Sequence, residues 1–225
     1  MMVRQRAIHA EHKQERHDAI LDAAERLLLR SPERVANVAE VAEEAGLAKG
    51  TVYLYFPGKE ELLLALHERN VASFFSELVE RAADVSPPGI DELLALAHRH
   101  MIERPLFLPL ASRCYGLMAQ TLPATVAAAY RQRMAERLAA AGAGLERHFP
   151  QFGAGDGVLL LRNSYALILG LWQLSVASTE GNALCPAAPG ASPLAFSFSE
   201  HVDRALRALW RGMLAMGGGA AGGRS

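Results

Sequence analysis

The chain has 225 residues, of which 51% are hydrophobic and 21% charged, with a formal net charge of −1. This composition predicts a folded globular protein and excludes an intrinsically disordered one. A net charge near zero gives no overall attraction to a polyanion, so any such binding has to come from locally placed charges. The two cysteines fit neither a disulfide framework nor a zinc pattern, and they favour the reducing cytoplasm.

The predicted elements are helical throughout, because strand-type alternation is absent and Ala and Leu dominate. Residues 1–12 are predicted to form a flexible N-terminal arm, with no apolar run that would make a signal peptide. Arg4 and Arg6 leave two interpretations open, a minor-groove contact or a frayed terminus. The first helix is predicted over 13–29, and Pro32 prevents its continuation.

Two short helices joined by a tight turn come next. Asn37 is predicted to cap the first of them, with Glu40 reaching back as its capping-box partner. Gly46 suits the left-handed residue that ends this helix. The next helix is predicted from about Lys49 to Phe56, where a Pro-Gly pair stops it.

A helical wheel divides residues 49–56 into an inner and an outer side. Val52 and Phe56 fall together and are predicted to point into the core. The outer side carries Gly50, Thr51 and Leu54, with Tyr53 and Tyr55 on its flanks. Such a face suits a DNA groove, because hydroxyls can meet phosphates or base edges and an apolar group can meet a thymine methyl.

Small and basic residues around this helix favour the same interpretation. Lys49 stands at its N-terminal end, where the helix dipole and free amides already attract phosphate. Gly50 lets a sugar-phosphate backbone approach closely, and Lys59 adds a second cation at the start of the next helix. The first 60 residues nevertheless hold nine basic and ten acidic side chains, so position rather than bulk field has to set the contacts.

The segment "VAEVAEEAGLAKGTVYLYFPGKEELLLAL", residues 38–66, resembles the DNA-binding segment of the tetracycline-repressor (TetR) family of bacterial regulators. The resemblance extends over 13 to about 70, which is the predicted helix-turn-helix domain. It implies about nine helices, a homodimer, and repression of a DNA operator relieved by a small ligand.

By position, the resemblance assigns DNA contacts to Asn37, Lys49, Gly50, Thr51, Tyr53, Tyr55 and Lys59; the wheel adds Leu54. Asn37 stands where the family usually has Thr, which exchanges one N-cap residue for another. Ala48 stands where the family often has Ser, so the third helix lacks a capping hydroxyl.

A long fourth helix is predicted from Lys59 to about 83, followed by a Pro-Gly break near 86–89. The remaining helices are predicted over 90–103, 105–120, 123–148, 156–180 and 198–216. A loop rich in Pro, Gly and Ala separates the last two, and 217–225 is predicted to be a disordered tail. The fold class is therefore all-α with about nine helices.

Residues 90–216 are predicted to form a ligand-binding and dimerisation domain. Its mixture of apolar and polar side chains suits a cavity for a small-molecule effector of unknown identity. The candidate ligand contacts are Met101, Phe107, Leu110, Arg113, Cys114, Met118, Tyr165 and Trp172. An ordinary core explains the same residues, and Cys114 is expected to be an inert buried thiol rather than a redox sensor, because nothing in the sequence indicates a depressed pKa.

The stretch 158–176 is apolar on most of its circumference. A single subunit does not easily cover so much apolar surface. Pairing helices 156–180 and 198–216 of two subunits would build a four-helix bundle. A membrane span is the alternative for this stretch, but Arg162 within it would be costly in lipid.

Two other classes of function compete with a DNA-binding repressor. His98 and His100 are spaced i, i+2 and do not share a helical face, and neither a phosphate-binding loop nor a nucleophile elbow appears. The sequence therefore predicts no enzyme, catalytic residue, metal or cofactor. A helical adaptor that binds protein through its third helix remains the open alternative.

Overall fold

The structure, a computed structural model, describes residues 2–32, 34–184 and 197–217. Over these residues the chain forms nine α-helices, one π-helical turn and no strand, which confirms the all-α class. The helices are α1 (Met2–Arg30), α2 (Val38–Glu44), α3 (Lys49–Tyr55), α4 (Lys59–Arg81), α5 (Ile90–Ala97), α6 (Phe107–Gln120), α7 (Ala124–His148), α8 (Asp156–Leu184) and α9 (Phe198–Gly217). The predicted loop beyond 184 and the tail beyond 217 lie outside the described residues.

The described chain divides into two compact units. The first unit holds residues up to 70 together with 113–127, and the second holds 71–112 and the residues from 128 onward. Helix α4 runs without interruption from the first unit into the second. The predicted domain limits of 13–70 and 90–216 stay predictions.

The first unit buries apolar side chains from each of its first four helices. The residues with the lowest exposure include Ile20, Leu21, Val41, Val52 and Leu66. Arg69 of α4 holds α1 from the outside, with guanidinium nitrogens 2.5 Å from Asp22 Oδ1 and 2.6 Å from Glu25 Oε2. In the first unit, ion pairs between α1 and α4 therefore add to the apolar core.

Helix α1 begins at Met2, so it includes residues 2–12 of the segment predicted as a flexible arm. This segment contains neither Pro nor Gly and is made largely of Ala, Arg, Gln, Glu and His. Once the buried part of α1 has formed the first turns, such residues extend a helix at low cost. Arg4 and Arg6 therefore lie within α1.

The second unit has a continuous apolar core contributed by α4 to α9. Its most deeply buried members include Phe107, Leu145, Leu160, Ile168 and Leu206. A polar bridge joins α8 and α9 in this core: Trp210 Nε1 donates a 3.0 Å hydrogen bond to Ser164 Oγ. Ser164 in turn donates to the carbonyl of Leu160, 2.8 Å away, so the indole N–H is buried without loss of a partner.

Helices α7 and α8 cross at backbone contact. A Cβ placed on Gly157 would lie 2.3 Å from the carbonyl oxygen of Gly142, and one on Gly142 would lie 2.6 Å from Val158 Cγ2. Glu146 Oε1 accepts hydrogen bonds from the amides of Gly155 and Gly157, at 2.9 and 3.0 Å. A carboxylate at the N-terminus of α8 satisfies free amides and complements the helix dipole.

The predicted helix over 90–103 is interrupted by a π-helical turn, His98–Ile102. The two histidines of this turn face different carboxylates. His98 Nε2 lies 3.6 Å from Asp203 Oδ1, whereas the buried His100 places Nε2 2.5 Å from Glu77 Oε2. A π turn is a rare, single-turn departure from α-helical geometry, which apolar periodicity does not indicate.

Helix α8 stands out in composition. Asp156–Val176 has a mean hydropathy of 1.2, and 33% of that stretch is buried inside the chain. Among the described helices it alone is long and apolar enough to cross a membrane, a test that core helices of soluble proteins also pass. Most of its other large apolar side chains are partly buried, and Leu174 is exposed.

Candidate nucleic-acid interface

The first element of the candidate interface is the N-terminus of α2. Asn37 Oδ1 accepts hydrogen bonds from the amides of Ala39 and Glu40, at 2.9 and 3.1 Å. The Glu40 side chain accepts from the Asn37 amide at 2.8 Å, which completes the predicted capping box. The Asn37 side chain is exposed and keeps its NH₂ group as a donor.

The turn between α2 and α3 is a Schellman motif. The amide of Leu47 donates to the Ala42 carbonyl at 2.9 Å, and that of Gly46 donates to the Glu43 carbonyl at 3.1 Å. Gly46 has φ of +65°, a conformation that L residues rarely adopt. The glycine therefore ends α2 and sets the direction in which α3 leaves, as predicted.

Helix α3 has the two sides that the wheel predicts. Val52 is 0% exposed and Phe56 4%, so both anchor the helix in the first unit. Leu54 is 85% exposed and Tyr53 43%, while Thr51 is half-buried. We name the outward surface formed by Lys49, Gly50, Thr51, Tyr53 and Leu54 the recognition face.

Tyr55 differs from the other predicted contacts because it also supports the fold. It is half-buried, and its ring centroid lies 6.4 Å from that of His17 on α1. The Phe56 ring lies 5.1 Å from the same imidazole. His17 therefore braces the C-terminal end of α3, a contact that no local sequence pattern indicates.

Two of the predicted contacts are lysines, one on the recognition face and one at the start of α4. Lys49 is exposed, with Nζ 5.8 Å from the ring centroid of Tyr53. This distance falls within the range of a cation–π contact, so the two side chains form one patch. Lys59 is exposed at the start of α4, and the exposed Asn37 begins α2. The structure thus places all the predicted DNA contacts in the first unit, with six of them on α3.

Two of the three acidic side chains of α2, Glu40 and Glu44, are paired with arginines. Glu44 contacts Arg30 and also Arg26, whose Nε lies 2.8 Å from Glu44 Oε1. These two hydrogen-bonding partners, Arg30 foremost, lower the pKa of Glu44 to about 2. The Asn37 amide and Arg34 likewise lower the pKa of Glu40. Both carboxylates therefore stay ionised at neutral pH and have arginine cations beside them.

The pKa of Glu44 predicts how its contribution to stability depends on pH. Its folded-state value of about 2 lies below the ordinary 4.5, so the stabilisation is fully present above pH 4.5 and is lost as the pH falls through about 2. We expect Glu44→Gln to be less stable than the wild type at pH 7 and the difference to shrink below pH 4.5. Urea unfolding at several pH values measures this, with the exposed Glu80→Gln as control. A difference that does not change with pH would contradict the prediction.

The N-terminus of α3 offers a test of capping. Ala48 has the extended backbone of an N-cap, with φ −64° and ψ 138°, but no side-chain acceptor. Ala48→Ser should raise the free energy of unfolding by about 1 kcal/mol, because its hydroxyl can accept from a first-turn amide. Ala48→Val, which adds bulk without an acceptor, is the control in urea unfolding. Equal stabilities of the serine and valine variants would rule out capping as the cause.

The predicted ligand contacts do not gather in one unit. Arg113, Cys114 and Met118 belong to the first unit, and the other five belong to the second. Within the second unit, Met101 and Phe107 are buried members of the core cluster. Tyr165 and Trp172 are partly buried and pack against that cluster. For these residues the structure favours the alternative of an ordinary core.

Two of the remaining candidates have structural partners in the first unit. Arg113 Nη2 donates to the Pro32 carbonyl at 2.8 Å, and Cys114 Sγ lies 3.8 Å from the Leu63 carbonyl. Burial raises the pKa of the Cys114 thiol to about 12. The thiolate needed for redox chemistry is thus disfavoured at neutral pH, which favours the inert thiol over the sensor.

Comparison with known families agrees with this geometry. The profile described as "Bacterial regulatory proteins, tetR family" matches residues 20–66, and "Tetracyclin repressor-like, C-terminal domain" matches 68–217. The fold and the helix-turn-helix define a transcriptional regulator of the helix-turn-helix class. Because the second profile spans more than half of the chain, the protein belongs to the tetracycline-repressor (TetR) family.

The sequence relatives described below are named as regulators. A fatty acid metabolism regulator protein of Bacillus subtilis is 32% identical over 68 residues, which are 30% of this chain and 35% of that protein. An HTH-type transcriptional regulator of Mycobacterium tuberculosis is 37% identical over 72 residues, 32% of this chain and 36% of the relative. The chain thus spans about a third of the length of these relatives.

Solved structures resemble the chain over most of its length. A protein of Pseudomonas aeruginosa PAO1 classed as a transcriptional regulator gives a TM-score of 0.55 at 20% identity, covering 90% of this chain and 92% of its own. A TetR-family transcriptional regulator from Streptomyces coelicolor gives 0.52 at 22% identity, covering 88% and 99%. At such identities the likeness concerns the fold alone.

Proposed function

We propose that the protein is a cytoplasmic homodimeric repressor that binds a palindromic DNA operator and is released by a small-molecule effector. The observation that carries the DNA-binding part is the division of α3: Val52 and Phe56 are buried, whereas the recognition face is exposed except for the half-buried Thr51. A seven-residue helix held from below by two hydrophobes is rigid enough to present the opposite side chains to a groove.

Each predicted contact has a chemical role on the operator. Lys49 and Lys59 would neutralise phosphates, and Gly50 would admit a backbone close to α3. The hydroxyls of Thr51, Tyr53 and Tyr55 would donate to phosphates or base edges. The side-chain NH₂ group of Asn37, at the start of α2, would donate to the operator. The absence of atoms within 4 Å of a Cβ built on Gly50 supports the close approach.

Dimerisation is supported by the apolar surface that α8 and α9 leave uncovered. Leu174 on α8 is 59% exposed and Met216 at the end of α9 is 77% exposed. A second copy that pairs its own α8 and α9 with these helices would remove such side chains from water. Two α3 helices spaced about one helical turn of DNA apart, roughly 34 Å, would then read a palindrome.

The operator can be found without knowing the regulated genes. The full-length protein is used to select binding duplexes from a random library, and we expect an inverted repeat. Tyr53→Ala should lower affinity for the selected duplex about tenfold or more, since it removes a hot-spot type of aromatic side chain. Val79→Ala, which trims an exposed apolar side chain in the second unit, is the control. If no duplex is enriched, the protein-binding adaptor becomes the better interpretation.

The dimer is tested by placing a charge on the uncovered surface. Leu174→Glu should shift the sedimentation coefficient toward the monomer and weaken operator binding, because half an operator gains little from one α3 helix. A dimer that survives the substitution at the same concentration would place the interface elsewhere.

Effector release is supported by the uninterrupted course of α4, which carries the chain from the first unit into the second. A compound that raises the melting temperature of the free protein binds its native state. Such a compound should lower operator affinity in an anisotropy titration, and by linkage the operator should lower affinity for the compound. Stabilising compounds that leave operator affinity unchanged would contradict release.

A further inference from the structure

The side chain of Leu54 is unusual in its exposure. At 85% it is the most exposed large hydrophobic side chain in any helix among the described residues. A single exposed leucine needs no explanation on an ordinary surface. Here, however, it lies on a seven-residue helix whose other outward residues are polar or glycine.

The residues one helical turn before and after Leu54 have short or partly buried side chains. One helical turn earlier lies Gly50, which has no side chain, and a Cβ there would meet nothing within 4 Å. Thr51, three residues earlier, is half-buried. Pro57 and Gly58, three and four residues later, belong to the loop after α3 and offer no long side chain. The isobutyl group is therefore not covered by the residues one helical turn before or after it.

The chemistry of an isobutyl group limits what it can recognise. It neither donates nor accepts hydrogen bonds, so it cannot read the donor and acceptor pattern of a base edge. Among the groups that the four bases present in the major groove, the 5-methyl of thymine is the apolar one. Cytosine carries hydrogen at the same carbon and offers no such partner.

The geometry points to Leu54 as a specificity-determining residue that recognises a thymine by contact with its 5-methyl group. This inference rests on the proposed DNA-binding function and specifies one position of the operator. Hydroxyls and lysines of the same face would fix the register of the helix on the phosphates. The methyl contact would then select a T·A pair at one fixed place in each half-site.

The test replaces thymine by deoxyuridine, which removes the methyl and leaves every hydrogen-bonding group in place. The selected duplex is used, with each thymine of the half-site replaced in turn. At one position the wild-type affinity should fall about fourfold per half-site, the value expected for one buried methyl. Replacement in both half-sites should lower it on the order of fifteenfold if the sites are independent.

Two variants assign this effect to Leu54. Leu54→Ser should bind more weakly than the wild type and become indifferent to deoxyuridine at that position. Leu54→Met retains an apolar side chain and should keep the sensitivity. Both variants should melt at the wild-type temperature, because the side chain is exposed and contributes little to folding.

A further duplex separates the methyl from the rest of the base. The critical T·A pair is replaced by cytosine·G in one duplex and by 5-methylcytosine·G in another. The wild type should bind the second duplex better than the first, since the two differ only in the methyl group. This gain should vanish in Leu54→Ser.

The outcomes are distinguishable. Indifference of the wild type to every deoxyuridine, a half-site without thymine, or equal sensitivity of wild type and Leu54→Ser would overturn the inference while leaving DNA binding intact. Failure to enrich any duplex would refute DNA binding and the thymine contact together.

Discussion

Replacing Gly157 by alanine should lower the free energy of unfolding by about 3 kcal/mol or more, at the upper end of the costs seen for overpacking. The added Cβ would lie 2.3 Å from the carbonyl oxygen of Gly142, 2.8 Å from its carbonyl carbon and 2.9 Å from its Cα. All three atoms are backbone, so no flexible side chain can move aside. Helices α7 and α8 would have to separate, which disturbs the core that both helices share.

The expected signature is a lower melting temperature, by roughly 10 °C for a chain of this size, together with a lower urea midpoint. Gly116→Ala makes the same change on α6, where a Cβ would meet nothing within 4 Å. This control should be neutral or slightly stabilising, because alanine favours helix by up to about 1 kcal/mol over glycine. Equal effects of the two substitutions would show that loss of glycine, rather than the helix crossing, determines the outcome.

Replacing Lys49 by alanine should weaken operator binding roughly tenfold in a dimer, because each subunit loses one phosphate contact. The loss should be similar for all sequences, since a lysine on phosphate positions the helix without reading a base. In anisotropy titrations at several salt concentrations, the slope of log K against log[salt] should become shallower by about 0.9 per contact, or about 1.8 per dimer.

Arg131→Ala removes the same charge from an exposed position on α7 in the second unit and is the matched control. Its salt dependence should equal that of the wild type. An unchanged slope for Lys49→Ala would exclude a phosphate contact at this residue, whatever the change in affinity.

The helix-turn-helix could be predicted because short-range rules specify it. Asn37 and Glu40 lie three residues apart, and their capping box begins α2 where the sequence indicates. Gly46 takes the positive φ that ends the helix. The four-residue spacing of Val52 and Phe56 sets which side of α3 is buried. Each of these depends on residues within one turn of helix, which a sequence displays directly.

Other features could not be predicted because residues far apart in the chain create them. The pairing of Arg26 with Glu44 joins positions 18 residues apart, and the contact of Gly142 with Gly157 needs the α7–α8 crossing. The ligand candidates illustrate another limit. Phe107 has the same apolar character in a core as in a cavity, so its residue type cannot distinguish the two. The structure buries it completely.

The separation of buried and exposed residues on α3 has an evolutionary consequence. Val52 and Phe56 keep the helix folded, whereas Leu54 faces water and is not needed for that task. Substitutions at position 54 are therefore nearly free of thermodynamic penalty, while they alter the surface offered to a target. A gene duplicate could acquire a different regulon through one codon, with the scaffold inherited unchanged.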